Sequence, residues 1–153
     1  MKEKQSILSP CDGEVISLGD VTDEVFSSGI MGEGFGVLPS SKMIASPVSG
    51  KIENAYKTGH AFTITTENGL DVLVHIGIDT VELEGVCFEA KVESGDYIKK
   101  GELLCIADID KILEKGFDPV VVVVISNSEK LHSQEIKYGK SYMGDEVLFY
   151  EIK

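Results

Sequence analysis

Apolar and polar residues alternate with a period of two along most of this chain. The pattern shows in Glu14-Val15-Ile16-Ser17-Leu18, Phe62-Thr63-Ile64-Thr65, Leu70-Asp71-Val72-Leu73-Val74 and Glu146-Val147-Leu148-Phe149-Tyr150. In an extended chain successive side chains point to opposite faces, so such alternation reads as strands with one face on a core. Glycines separate the segments, notably at Asn68-Gly69 and Ser94-Gly95, and Asn-Gly between two alternating runs is a hairpin signal. The pattern predicts an all-β antiparallel sandwich or closed barrel of about ten short strands. Helical spacing is confined to residues 108–116, where acidic residues open the segment, Ile109, Ile112 and Leu113 share a face, and Gly116 can end it. Asp79-Thr80-Val81-Glu82-Leu83 is predicted as one helical turn.

An internal echo refines this picture. Ser9-Pro10-Cys11-Asp12-Gly13-Glu14-Val15 returns thirty-seven residues later as Ser46-Pro47-Val48-Ser49-Gly50-Lys51-Ile52. Proline at a strand edge followed by a glycine turn suits a β-roll, and the recurrence predicts two related halves. Two copies are too few for a solenoid.

At 153 residues the chain is expected to form a single domain, 1–153, with residues 1–6 as a flexible N-terminus. The formal net charge of -12 opposes binding to nucleic acid or anionic membranes, which requires Lys and Arg to neutralise phosphate. It suits a soluble protein whose partners carry basic patches. The longest apolar run, residues 120–125, is far short of the roughly 20 residues that cross a bilayer. The charged start Met1-Lys2-Glu3-Lys4-Gln5 lacks the apolar segment of a secretory signal. Cys11, Cys87 and Cys105 are odd in number and irregularly spaced, which fits reduced thiols acting as small buried apolar groups in a cytoplasmic protein.

Candidate chemistry centres on histidine. Of three in the chain, His60 in Thr58-Gly59-His60-Ala61-Phe62 and His75 in Val72-Leu73-Val74-His75-Ile76-Gly77 sit in the most regular apolar stretches, fifteen residues apart. If their strands pair, both rings can face one site. A neutral imidazole can be a metal ligand, a proton shuttle or a nucleophile, or simply a satisfied core residue. A zinc hydrolase would need a third ligand; Asp71 is conceivable, but no HxH or HExxH pair occurs, and His132 lies in a polar, solvated segment. A biotinyl- or lipoyl-like carrier is suggested by Val92-Glu93-Ser94-Gly95-Asp96-Tyr97-Ile98-Lys99-Lys100-Gly101-Glu102-Leu103-Leu104-Cys105-Ile106, yet Lys111, which follows Asp110, falls in the predicted helix rather than at a hairpin tip. A phosphoryl-accepting histidine needs one ring nitrogen exposed and the other held by an acceptor. Gly77, two residues on, can offer its carbonyl to Nδ1 of His75, while His60 and the Thr58 hydroxyl can act on the phosphate.

The run Val74-His75-Ile76-Gly77-Ile78-Asp79-Thr80-Val81-Glu82-Leu83 closely resembles the phosphorylation-site signature of glucose-type enzyme IIA of the bacterial phosphoenolpyruvate:sugar phosphotransferase system. The resemblance extends through Gly13-Glu14-Val15, Gly32-Glu33-Gly34, Lys42-Met43, Pro47-Val48, His60-Ala61-Phe62 and Pro119-Val120-Val121, and spans roughly residues 7–153. It implies an antiparallel β-sandwich related to the barrel-sandwich hybrid. It also implies His75 as phosphoacceptor through Nε2, His60 as second active-site histidine and Thr58 as the hydroxyl tying His60 to the site. Phosphate would come from the phosphohistidine of HPr and leave for a cysteine of an enzyme IIB in a sugar permease, with no cofactor.

The same resemblance implies an apolar docking ring of Val25, Phe26, Met31, Tyr56, Leu73 and Val81 and an acidic rim of Asp23 and Asp79. For those apolar residues, plain core is the alternative. Glu24 stands where a ring member is expected, and Glu84 deepens the negative patch. Some members of the family bind transporters or kinases when unphosphorylated, sometimes with zinc held between the two histidines and a partner's carboxylate. A regulatory binding module of this kind is therefore the rival expectation. A monomer with no intrinsic metal is expected.

Overall fold

The computed structural model describes residues 5–153. Among them are fourteen strands, more than alternation alone predicts, because several have only two or three residues and cannot display a period. Eight form one antiparallel sheet. Its order is β13 (Gly139–Ser141), β2 (Gly13–Ser17), β3 (Glu33–Pro39), β11 (Val121–Ile125), β7 (Asp71–Ile76), β6 (Ala61–Thr65), β5 (Gly50–Ala55) and β9 (Tyr97–Ile98). Two three-stranded sheets complete the sandwich. One runs β1 (Gln5–Leu8), β14 (Glu146–Ile152), β12 (Leu131–Ile136); the other β4 (Met43–Ala45), β10 (Leu103–Ala107), β8 (Phe88–Ala90).

The internal echo is a structural two-fold. Leu8 N donates to Pro47 O at 3.0 Å and Ala45 N donates to Pro10 O at 2.7 Å. Shifting by thirty-seven residues turns the first bond into the second, as exchange of two halves requires. The two buried serines act alike: Ser9 Oγ donates to Cys11 O at 2.8 Å and Ser46 Oγ to Val48 O at 2.6 Å. A second echo accompanies it. Lys99 N donates to Glu102 Oε1 and Tyr142 N to Asp145 Oδ2, both at 2.9 Å. Glu102 O and Asp145 O then receive Ser46 N and Ser9 N, at 2.7 and 2.8 Å. The carrier-like segment at 92–106 therefore contains one of two equivalent arms of this fold. The strand order is symmetric about β11 and β7, whose central pair is Val123 and Val74.

Burial on both faces of β11 explains the run 120–125. Val121, Val123 and Ile125 enter the main core, while Val120, Val122 and Val124 enter a smaller cluster on the other sheet face with Leu18, Val21 and Phe26. A strand buried on both faces reads as continuous apolar sequence rather than alternation. The cover on that second face is a 3₁₀ turn, Leu18–Asp20, and a one-turn helix α1 (Glu24–Ser27). Alternation did not predict α1; Asp23 starts it by accepting from Val25 N at 2.7 Å, and Phe26 anchors it.

The predicted helix is α2 (Ile109–Glu114), capped by Asp108, whose side chain accepts from Lys111 N at 3.2 Å; Gly116 follows it in the left-handed region (φ 85°). The turn predicted at residues 79–83 is a 3₁₀ turn, Thr80–Leu83. The hairpin at Asn68-Gly69 joins β6 to β7, with Gly69 at φ 86°. Of the expected flexible N-terminus, residues 1–4 lie outside the described residues. Gln5 and Ser6 depart from that expectation, pairing with Tyr150 and Phe149 in β1. All three cysteines are buried thiols, and burial pushes Cys11 and Cys105 up to about 12. Among the described residues no helix is long and apolar enough to cross a membrane.

Candidate active site

Strand register brings the two histidines together. In β7, Val72, Val74 and Ile76 face the main core, which leaves Leu73 and His75 on the opposite face. Ala61 pairs with His75, and Ile76 N donates to His60 O at 2.7 Å, so the histidines are diagonal neighbours, His75 in β7 and His60 immediately before β6 beside it. Their ring centroids are 5.1 Å apart with planes at 82°.

Each Nδ1 is engaged. Nδ1 of His75 lies 2.7 Å from Gly77 O. A carbonyl only accepts, so Nδ1 carries the proton and Nε2 keeps its lone pair. Gly77 must be glycine: its φ is 79°, and a Cβ there would stand 2.4 Å from Thr80 Cγ2. Nδ1 of His60 hydrogen-bonds the Thr58 hydroxyl across a tight turn in which Gly59 N donates to Tyr56 O at 2.8 Å. Thr58 can fill either role in that bond.

Both rings are neutral at pH 7. Burial, reinforced by the neighbouring His75, pushes His60 down to about 4, and only 4% of its surface is exposed. His75 is also lowered by burial, with the Gly77 carbonyl and the Asp23 and Asp79 carboxylates opposing the shift. A neutral imidazole with a fixed Nδ1 proton is the form that attacks phosphorus.

The rim divides into three parts. Val25, Met31, Tyr56 and Val81 are exposed apolar side chains, and the Tyr56 ring stands 5.5 Å from that of His60. Asp79 is exposed, adopts φ 60° and makes no capping bond, while Asp23 is spent partly on capping α1. Phe26 and Leu73 are the least exposed members of the expected docking ring. Phe26 is only 6% exposed, sits in the smaller core cluster, and places its ring 5.3 Å from His75; Leu73 packs on the same cluster. They form a wall behind His75, because β7 needs a buried partner on its outer face.

The 127-residue span 5–131 matches the family model described as phosphoenolpyruvate-dependent sugar phosphotransferase system, EIIA 1. The glucose-specific EIIA component of Staphylococcus epidermidis is 42% identical over 131 residues, covering 86% of this chain and 79% of that protein. The β-glucoside-specific EIIBCA component of Bacillus subtilis is 39% identical over 134 residues, 88% of this chain but 22% of its own length. The solved glucose permease IIA from Mycoplasma capricolum superposes with a TM-score of 0.87 at 35% identity, covering 96% of each chain.

The chain belongs to the glucose-type enzyme IIA family.

As an enzyme IIA, it is a component of the sugar phosphotransferase system. The rival carrier architecture fails on position: Lys111 lies within α2. Asp71, conceivable as a zinc ligand, instead accepts from Thr65 Oγ1 at 2.9 Å, and His132 is an exposed residue of β12. Among the described residues no group of three His, Cys, Asp or Glu is placed to hold a metal ion. A zinc between His60 and His75 would need ligands from beyond the described residues.

Sequence reasoning missed Phe88 in this enzyme IIA. Its ring packs 6.4 Å from His60, and a Cβ on Gly59 would stand 2.9 Å from Phe88 Cβ. Phe88 sits in a three-residue strand with no readable period; the nearest signal is Gly59 itself, beside a histidine, where close approach excludes a side chain.

Proposed function

We propose that this enzyme IIA accepts a phosphoryl group from phospho-HPr on Nε2 of His75 and passes it to a cysteine of an enzyme IIB. The observation that supports the reading is the 2.7 Å bond between His75 Nδ1 and Gly77 O, which leaves the Nε2 lone pair free. In uptake, the Nε2 lone pair attacks phosphorus, and the phosphorus–nitrogen bond to the HPr histidine breaks. In delivery, a thiolate of enzyme IIB attacks phosphorus, the bond to Nε2 breaks, and the lone pair returns to His75. The proton stays on Nδ1, donated to Gly77 O, throughout, so neither step needs a base for it.

His60 supplies the donor for the phosphoryl oxygens. When the Thr58 hydroxyl donates to Nδ1 of His60, the neutral ring bears its proton on Nε2 and can hydrogen-bond a phosphoryl oxygen. The exposed Val25, Tyr56, Met31 and Val81, with the carboxylates of Asp23 and Asp79, are the surface on which basic partners dock. Relatives named for glucose, β-glucoside and glucosamine are 42%, 39% and 40% identical to the chain, so its sequence does not single out one sugar and the choice lies with other domains. Incubation with phosphoenolpyruvate, enzyme I and HPr tests the reading: an acid-labile, base-stable phosphate on the chain supports it, and no label contradicts it.

A further inference from the structure

The turn that fixes His75 is itself held from outside. Gly77 N donates to Val120 O at 2.7 Å and Ile78 N donates to Asp118 O at 2.9 Å. The peptide that offers its carbonyl to His75 Nδ1 is thus clamped to the connection between α2 and β11. That connection is a loop, and its shape depends on the Asp118 carboxylate. Oδ1 accepts from Val120 N at 2.9 Å, closing an Asx turn. Oδ2 accepts from the Thr22 hydroxyl at 3.0 Å, across 96 residues of chain.

Thr22 leads directly into α1. Its neighbour Asp23 caps the helix, and the helix carries Phe26, whose ring stands 5.3 Å from that of His75. One half-buried carboxylate therefore joins both structures that fix the imidazole, the turn behind Nδ1 and the aromatic wall beside the ring. We infer that Asp118 is a positioning residue for His75, which holds the Gly77 carbonyl and the Phe26 wall in register so that the ring keeps its proton on Nδ1 and its lone pair on Nε2. It touches neither the ring nor the phosphoryl group. Loss of the clamp lets the Gly77 carbonyl drift, and a His75 ring with its proton on Nε2 is not a nucleophile there.

The test combines ¹⁵N-histidine NMR of the unphosphorylated chain with phosphate uptake from phospho-HPr. The kinetic arm rests on His75 being the phosphoacceptor; the NMR arm does not. Wild type and Asp118→Asn, whose amide can still accept from Val120 N and donate to Thr22, should show the single Nδ1-protonated form of His75. Asp118→Ala should show both tautomers and lose about tenfold in kcat with KM changed less than about twofold, because a displaced nucleophile still binds its donor. A simple loss of stability would lower Tm without moving the tautomer. Thr22→Val alters only an exposed hydroxyl and serves if Asp118→Ala does not fold. It should weaken the ring-current shift between Phe26 and His75 and lower kcat by about threefold. Wild-type tautomer and rate in Asp118→Ala, an Asp118→Asn as impaired as the alanine variant, or wild-type shift and rate in Thr22→Val would each overturn the inference. A wild-type chain that phospho-HPr does not label would overturn the phosphoacceptor reading alone.

Discussion

His60 and His75 stand with ring centroids 5.1 Å apart and planes nearly perpendicular, each with Nδ1 already engaged by a residue two positions away in the chain. Two similar rings are thus given different partners. A carbonyl fixes the proton of His75, whereas a hydroxyl at His60 can accept or donate. The pair can divide the work into nucleophile and phosphate-binding donor.

That division predicts the behaviour of His60→Gln. Glutamine keeps an N–H donor, so the variant should still take phosphate from HPr. Onward transfer to enzyme IIB should slow by about 10²–10⁴-fold, the usual contribution of a positioned acid or base. Unlike an imidazole, an amide cannot take up or give a proton as charge moves in the transition state. Single-turnover transfer measured in each direction checks it; equal delivery rates would make His60 structural.

Acid should weaken the fold through the same rings. The folded His60 takes a proton only near pH 4, whereas the unfolded chain takes one near 6.5. Between those values the unfolded state binds more protons, so stability is full above about pH 6.5 and falls as pH drops towards about 4. His75, also lowered, adds in the same direction. Urea midpoints at pH 7 and pH 5 should differ for wild type and differ less for His60→Gln.

Gly77→Ala should damage both fold and chemistry. The φ of 79° and the 2.4 Å approach to Thr80 Cγ2 leave no room for a methyl group, and relaxation would move the carbonyl from His75. A loss of about 2 kcal/mol or more in denaturant unfolding is expected, with slower phosphate uptake beyond what unfolding explains.

Much of this was legible in the strand pattern. A titratable ring in alternating Val72-Leu73-Val74-His75-Ile76 stands out, because that register sets His75 opposite Val74 and away from the main core. The helix at 109–114 was legible from its spacing and caps. The burial of Phe26 was not. α1 has four residues, too few to show a 3.6-residue period, and it folds because Asp23 caps it and β11 needs cover on its second face. The second echo was hidden because its two arms share geometry more than residue types, Glu102 being matched by Asp145 and Lys99 by Tyr142. Asp118 and Thr22 meet across 96 residues, which no local pattern reveals.

The carboxylates of the rim should respond to salt and its apolar side chains should not. Asp79 is exposed, so Asp79→Lys should slow association with basic HPr, and the penalty should shrink as ionic strength rises. Val81→Ala should instead raise the off-rate with little salt dependence, since apolar contact is not screened. Phe26→Ala, at a buried position, should cost about 3 kcal/mol of stability. Uptake rates at two ionic strengths, with unfolding curves for each variant, separate the three effects.

The most direct test is phosphorylation of His75→Ala by labelled phosphoenolpyruvate, enzyme I and HPr. Nε2 of His75, left free because Nδ1 is bonded to Gly77 O, is the proposed acceptor, so the folded variant should take up no acid-labile phosphate while wild type is labelled stoichiometrically. Full labelling of a folded His75→Ala would contradict the account.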